Sequence, residues 1–219
     1  MILPVKEICE RAKELDLITI VDGAHVPGHI DLDLSELKAD IYTGACHKWM
    51  LTPKGCSFLY INDEFKNRFD PLIISWGYDL NSNFSDHHEL QGTRDYSAFL
   101  TIPTAVQFLK DNDWESVSRT CKELVLTNYE KTSSILNSKP ICPINADYLG
   151  QICSSSVKTS EPDELKTMLY KKFNIEVPIM QLGNEFYLRF SAQGYNNQDD
   201  IDLLHQALET IKKQTNLIQ

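Results

Sequence analysis

The chain has 219 residues, 42% of them apolar and 24% charged, with 21 basic against 31 acidic residues and a net charge of −10. That composition suits a folded protein with a sizeable core rather than a disordered one. The acidic balance argues against nucleic acid, whose phosphates need Lys and Arg to replace counterions, and against anionic membrane surfaces. No apolar run approaches the roughly 18 to 20 residues that span a bilayer. Six cysteines, Cys9, Cys46, Cys56, Cys121, Cys142 and Cys153, include no C-x-x-C pair, so a zinc site is not expected. With no signal peptide legible, these thiols imply a cytoplasmic protein with reduced cysteines.

Val5 to Leu15 carries apolar residues at Val5, Ile8, Cys9, Ala12 and Leu15, a helical spacing. No strand precedes it, so the first βα unit lacks its β. Leu17 to Val21 reads as a buried parallel strand bounded by Asp16 and Asp22-Gly23. Leu34 to Lys38 reads as a helical turn with Ser35 near its start. Asp40 to Ala45 and Gly55 to Ile61 read as two further strands of an open α/β sheet. Asp70 to Arg94, rich in Asn, Ser, Asp, His and Gly, reads as a long functional or subunit-tying loop. Tyr96 to Lys110 predicts a helix made irregular by Pro103, and Trp114 to Leu136 a long amphipathic one. The last third predicts a strand at Gln151–Lys158 and a helix at Pro162–Phe173. Strands at Ile175–Met180 and Glu185–Ala192 flank a Leu182-Gly183-Asn184 turn, and a closing helix covers Asn197–Lys213.

Asp22 lies at the carboxyl end of a predicted strand, where open α/β sheets bind ligands, although an Asp there often just caps a turn. Lys48 follows the next strand within His47-Lys48-Trp49. A lysine in such an apolar stretch can be desolvated into a free amine, although most lysines are solvated. The pair is more informative than either residue. Successive strands bring Asp22 and Lys48 to one sheet edge, and pyridoxal phosphate (PLP) needs both a lysine amine and a carboxylate for its pyridine nitrogen.

Asp22-Gly23-Ala24-His25, Thr43-Gly44-Ala45-Cys46-His47-Lys48-Trp49 and Pro53-Lys54-Gly55 occur in that order. Gln91-Gly92-Thr93-Arg94-Asp95 and Tyr187 to Asn196 follow. Together they resemble the signature of class V aminotransferases, PLP enzymes of fold type I, in their isopenicillin N epimerase-like branch. The resemblance implies Lys48 as the Schiff-base lysine that also moves protons at the substrate α-carbon. Asp22 would pair with the pyridinium nitrogen and His25 would lie near the ring hydroxyl. His47 would approach the phosphate, with Thr43 a weaker candidate. Gly92 and Thr93 would reach the phosphate of a neighbouring subunit's cofactor in a homodimer. Arg189 would clamp the substrate α-carboxylate through its bidentate fork; without that role it would be an exposed strand residue in a salt bridge.

Two departures stand out. Desulfurases of the family carry a nucleophilic Cys shortly before the carboxylate-binding Arg; Val177 to Gly183 holds none, and Cys46 adjoins His47 on an opposed face of extended chain. The family also has a preceding stretch, with a phosphate-cupping loop and a ring-stacking aromatic, that nothing here matches.

The chain therefore looks like the family's C-terminal part, with an α/β fold: residues 1–105 the second half of a PLP-binding large domain with a mixed, mostly parallel sheet, and residues 106–219 a small α+β domain. The implied activity is PLP chemistry at the α-carbon of an amino-acid substrate, with a desulfurase or cysteine lyase as alternative. Partners are a second copy or the N-terminal half. A catalytically incompetent fragment or interaction module is the non-enzyme alternative. A metal reading of His25, His29, His87, His88 and Glu89 is set aside, because Pro27 and Gly28 break any helix and no ligand spacing is met.

Overall fold

The computed structural model describes residues 1–79 and 81–219. It divides into two compact units, Pro4–Asn112 and Met1–Leu3 with Asp113–Gln219. In the first unit, helix α1 (Val5–Glu14) leads to strand β1 (Ile20–Asp22), a helical turn α2 (Leu34–Leu37) and strands β2 (Ile41–Ala45) and β3 (Ser57–Ile61). The sheet order is β1-β2-β3. β1 runs parallel to β2 and β3 antiparallel to it, so the sheet is mixed.

The start of the β1–β2 ladder is pinned by side chains. The Asp40 carboxylate accepts from Thr19 N at 2.7 Å and Thr19 Oγ1 at 2.9 Å, and Asp40 N donates back to Thr19 Oγ1 at 3.0 Å. That clamp sets the register Ile20↔Ile41, Val21↔Tyr42, Asp22↔Thr43, and a one-residue slip would turn every β1 side chain to the other face.

The expected buried strand is corrected. It is parallel but spans only Ile20–Asp22, and Leu17, Ile18 and Ile20 are 58, 52 and 73% exposed. A mostly apolar run signals burial where neighbours cover a strand on both sides; among the described residues β1 pairs with β2 alone and is a sheet edge.

A 3-10 helix at Asp63–Arg68 follows β3, and Phe65 packs with Ile41 and Ile61 against Phe69 and Phe84. The segment read as loop from Asp70 to Arg94 spans Leu80, outside the described residues, and contains a helix, α3 (Phe84–Glu89). Asn83 and Asp86 form its capping box, an Asx-x-x-acid signal present in the sequence. The single helix expected over Tyr96–Lys110 is two, α4 (Ser97–Leu100) and α5 (Ile102–Asp111). The break falls before Pro103, which sits in the first turn of α5, where its missing N–H is not needed.

The second unit holds α6 (Trp114–Ile135), β4 (Ile152–Val157), α7 (Pro162–Phe173), β5 (Ile179–Leu182), β6 (Glu185–Ser191) and α8 (Gln198–Gln214). Its antiparallel sheet runs β4-β6-β5. Leu188 and Phe190 face a core that includes Val125, Tyr129, Leu165, Leu208 and Ile211. β5 begins four residues later than the expected Ile175. Asn174 ends α7 at φ 56, and Ile175 N bonds back to Leu169 O, so the chain is still capping the helix there.

His205 is 2% exposed on α8. Its Nε2 donates to Thr132 Oγ1 at 2.9 Å, because the Thr132 proton goes to Asn128 O. Its Nδ1 has no partner among the described residues. Burial, reinforced by Lys131 and opposed by Asp202 and Glu209, pulls its pKa below the ordinary imidazole value. The unfolded chain therefore takes up a proton first as pH falls through about 6.5. The stability supplied by neutral His205 is present above that pH and lost below it, down to the folded-state pKa. Denaturant unfolding between pH 7.5 and 5.5 should show this fall, and His205→Gln should lose part of it; an identical pH slope in that variant would contradict the assignment.

Candidate active site

Asp22 ends β1 and is the ladder partner of Thr43 on β2, so the two share one sheet face. Gly23 N donates to Thr43 O at 2.8 Å and extends the ladder one residue further. The Asp22 carboxylate is exposed and accepts from Ala24 N at 3.0 Å, which orients it within the turn. A Cβ on Gly23 would stand 1.8 Å from the Tyr42 hydroxyl, so Tyr42 occupies the space that any side chain there would need. Tyr42 is buried, stacks on Phe58 at 6.1 Å, and its hydroxyl has no hydrogen-bond partner among the described residues. Burial, then the Asp22 charge, pushes its pKa up to about 12, so the phenol stays neutral.

Beyond β2 the chain turns through a loop closed by Cys46 N→Cys56 O at 3.0 Å and Thr52 N→Cys46 O at 3.3 Å. His47 Nδ1 donates to Cys56 O at 2.8 Å, which fixes its ring. Lys48 is half-buried and makes no ion pair among the described residues. Leu51 holds φ 65 in the same loop, a left-handed conformation costing an L side chain about 1–2 kcal/mol.

Trp49 ties this loop to the turn after Asp22. It is 7% exposed. Its Nε1 donates to His25 Nδ1 at 3.1 Å, its ring stacks on His29 at 4.3 Å, and His29 Nδ1 donates to the His25 carbonyl at 2.9 Å. Gly28 at φ 77 lies so close that a Cβ would meet the Trp49 carbonyl and Met50 N at 2.8 Å. The segments that carry Asp22 and Lys48 are thereby locked together.

The remaining candidates have surroundings of their own. The Thr43 hydroxyl donates to Phe58 O at 3.2 Å, so its proton is already committed. Gly92, at φ 78, and Thr93 line a cleft of about 190 Å³ with Ser75, Trp76, Leu90 and Tyr96. The Tyr96 hydroxyl holds that turn by donating to Gly92 O at 2.9 Å. Arg189 belongs to the second unit; it is half-buried on β6, beside Ser154 of β4, and has no ion pair among the described residues. A larger hollow, about 490 Å³ along α7 and lined by Lys166, Tyr170 and Lys171, contains none of the candidate residues. Sequence reasoning missed Tyr42, Trp49 and the packing role of Gly28. The only signals were a Trp beside the lysine and a Gly after Pro27.

A model of the aminotransferase class-V family matches residues 1–204. The chain belongs to the class V aminotransferase family. It is 30% identical to isopenicillin N epimerase of Amycolatopsis lactamdurans over 97% of this chain, and 28% identical to a probable chloroplastic L-cysteine desulfhydrase of Arabidopsis thaliana over 95%. It spans 57% and 47% of those proteins. Its fold is shared with a cysteine desulfurase from Thermococcus onnurineus NA1, with a TM-score of 0.81 at 22% identity, over 96% of this chain and 56% of that one. The architecture is thus α/β, part of a type I large domain followed by a small α+β domain.

The donor set of this class V chain fits the cofactor that the resemblance implies. An exposed carboxylate ends β1 and a lysine stands in the loop just beyond the neighbouring parallel strand β2. A Cβ on Gly23, Gly28 or Gly44 would clash, with the Tyr42 ring, the Trp49–Met50 backbone and the Phe58 ring respectively. Thiolate chemistry fits less well. Burial, then neighbouring Cys56, pushes the Cys46 thiol up to about 11, and burial raises Cys9, Cys121 and Cys153 as well, so each stays a thiol at neutral pH.

Gly28→Ala should destabilise the chain by about 2 kcal/mol or more, because it combines a left-handed conformation with a backbone clash. It should also alter Trp49 fluorescence. Denaturant unfolding checks this; a change within about 0.5 kcal/mol, typical of neutral surface sites, would contradict the packing described.

Proposed function

We propose that this chain is the lysine-bearing portion of a cytoplasmic PLP enzyme acting at the α-carbon of an amino acid, with epimerase-like chemistry. The observation that carries the reading is the joining of the Asp22 turn to the Lys48 loop at one sheet edge by the Trp49–His25 bond.

When bound, PLP supplies an electron-withdrawing ring that acidifies the substrate Cα–H. Asp22 holds the proton on the pyridine nitrogen. Lys48 would hold the cofactor through its Nζ, and the same amine would remove or return the proton at the substrate Cα. His25 would serve the ring hydroxyl. His47 would serve the phosphate, and Thr43 would contribute less because its proton is taken by Phe58 O. Arg189 holds the substrate carboxylate. Gly92 and Thr93 serve the phosphate of a second subunit in a homodimer. The rest of the pocket comes from a segment equivalent to the remaining length of the relatives, within the same assembly.

A second reading, a PLP lyase acting on cysteine, has the relatives named L-cysteine desulfhydrase in its favour. It shares Lys48 and Asp22 and needs no protein thiolate. Desulfuration through a protein cysteine is disfavoured by the raised Cys46 pKa and by the lack of Cys in Val177–Gly183.

The purified chain should develop a visible absorption band with PLP. Borohydride reduction followed by peptide mapping should fix the label on Lys48, and Lys48→Ala should abolish it. No band, or label spread over surface lysines, would sink the reading for this chain alone and favour an incompetent fragment.

A further inference from the structure

We propose that Trp49 is a positioning residue that fixes which nitrogen of His25 carries its proton, making the ring an N–H donor through Nε2 for the hydroxyl oxygen of the cofactor. The cofactor half of this inference rests on the function proposed above; the tautomer half does not.

An indole N–H can only donate. Its 3.1 Å contact with His25 Nδ1 therefore requires a lone pair on that nitrogen. In the neutral ring the proton must then sit on Nε2. Protonating Nδ1 would set two donors against each other, so the bond selects the neutral Nε2–H form. The rings meet edge-on at 60°, not face to face. Trp49 is buried, so its N–H needs a partner inside the protein. Neither ring can easily turn away. His29 stacks on the indole, and its Nδ1 holds the His25 carbonyl.

The tautomer matters to a ring oxygen. A hydrogen bond to a charged acceptor favours its ionised form, so an N–H from His25 favours the phenolate of the cofactor. The opposite tautomer would turn a lone pair toward that oxygen and disfavour the charge. Trp49 would thus act on the cofactor without touching it.

The test uses the full 219-residue chain with 15N-labelled histidine, with His25 identified by the signal lost in His25→Gln. Long-range proton–nitrogen correlation at pH 8 should show His25 with a lone-pair Nδ1 and a protonated Nε2. A protonated Nδ1 would overturn the proposal without any variant. Trp49→Phe keeps a ring on His29 but removes the donor, and should raise the Nδ1-protonated population about fivefold, the equilibrium equivalent of one net hydrogen bond. An unchanged ratio in the folded variant would also overturn it. Adding PLP separates the two readings. A Lys48-linked band confirms the cofactor reading on its own; its absence, with the tautomer as stated, sinks that reading and leaves the Trp49–His25 assignment supported.

Discussion

Parallel pairing of β1 on β2, in the register that sets Asp22 opposite Thr43, is the constraint on which the candidate site depends. Side chains alternate along strands, so register decides which face Asp22 takes. The Asp40–Thr19 clamp fixes it at one end of the ladder, and Gly23 N to Thr43 O extends it at the other. Between these ties β1 is only three residues long and exposed on its outer side. Ladder bonds alone would hold so short an edge strand weakly; the side-chain clamp supplies what the short ladder does not.

The second tie acts beyond the strands. The turn after Asp22 and the loop holding Lys48 have no regular structure, and irregular backbone is positioned only by side-chain bonds and close packing. Trp49, His25, His29 and Gly28 supply these. The surrounding polar groups are largely settled: His47 is bonded to Cys56 O, the Thr43 proton goes to Phe58 O, and Tyr42 is buried as a neutral phenol. Lys48, half-buried and without an ion pair among the described residues, is set within a fixed frame.

Much of this was legible in the sequence where the signal is local. The helix over Pro162–Phe173 was read to the residue, since its apolar spacing and N-terminal Pro are both local features. The end of β1 was legible to within one residue, from an apolar run closed by Asp22-Gly23, and β2 was expected to end at Ala45, as it does. Exposure of β1 was not legible, because an apolar run does not show whether a neighbouring strand is present. α3 was hidden in a polar stretch, although its Asn83/Asp86 capping box was written there. The site residues were read from motif order. The partner of the Trp49 indole is 24 residues away, and no spacing rule links an indole N–H to a histidine across two strands.

Whether Asp22 and Lys48 serve one ligand is most directly tested by a double-mutant cycle on PLP binding. Equilibrium dialysis would compare the wild-type chain, Asp22→Ala, Lys48→Ala and the double variant. Two groups holding one molecule are coupled, so the double variant should bind more tightly than the product of the two single losses predicts. Losses that multiply independently, or equal binding by all four proteins, would contradict a shared site at this sheet edge.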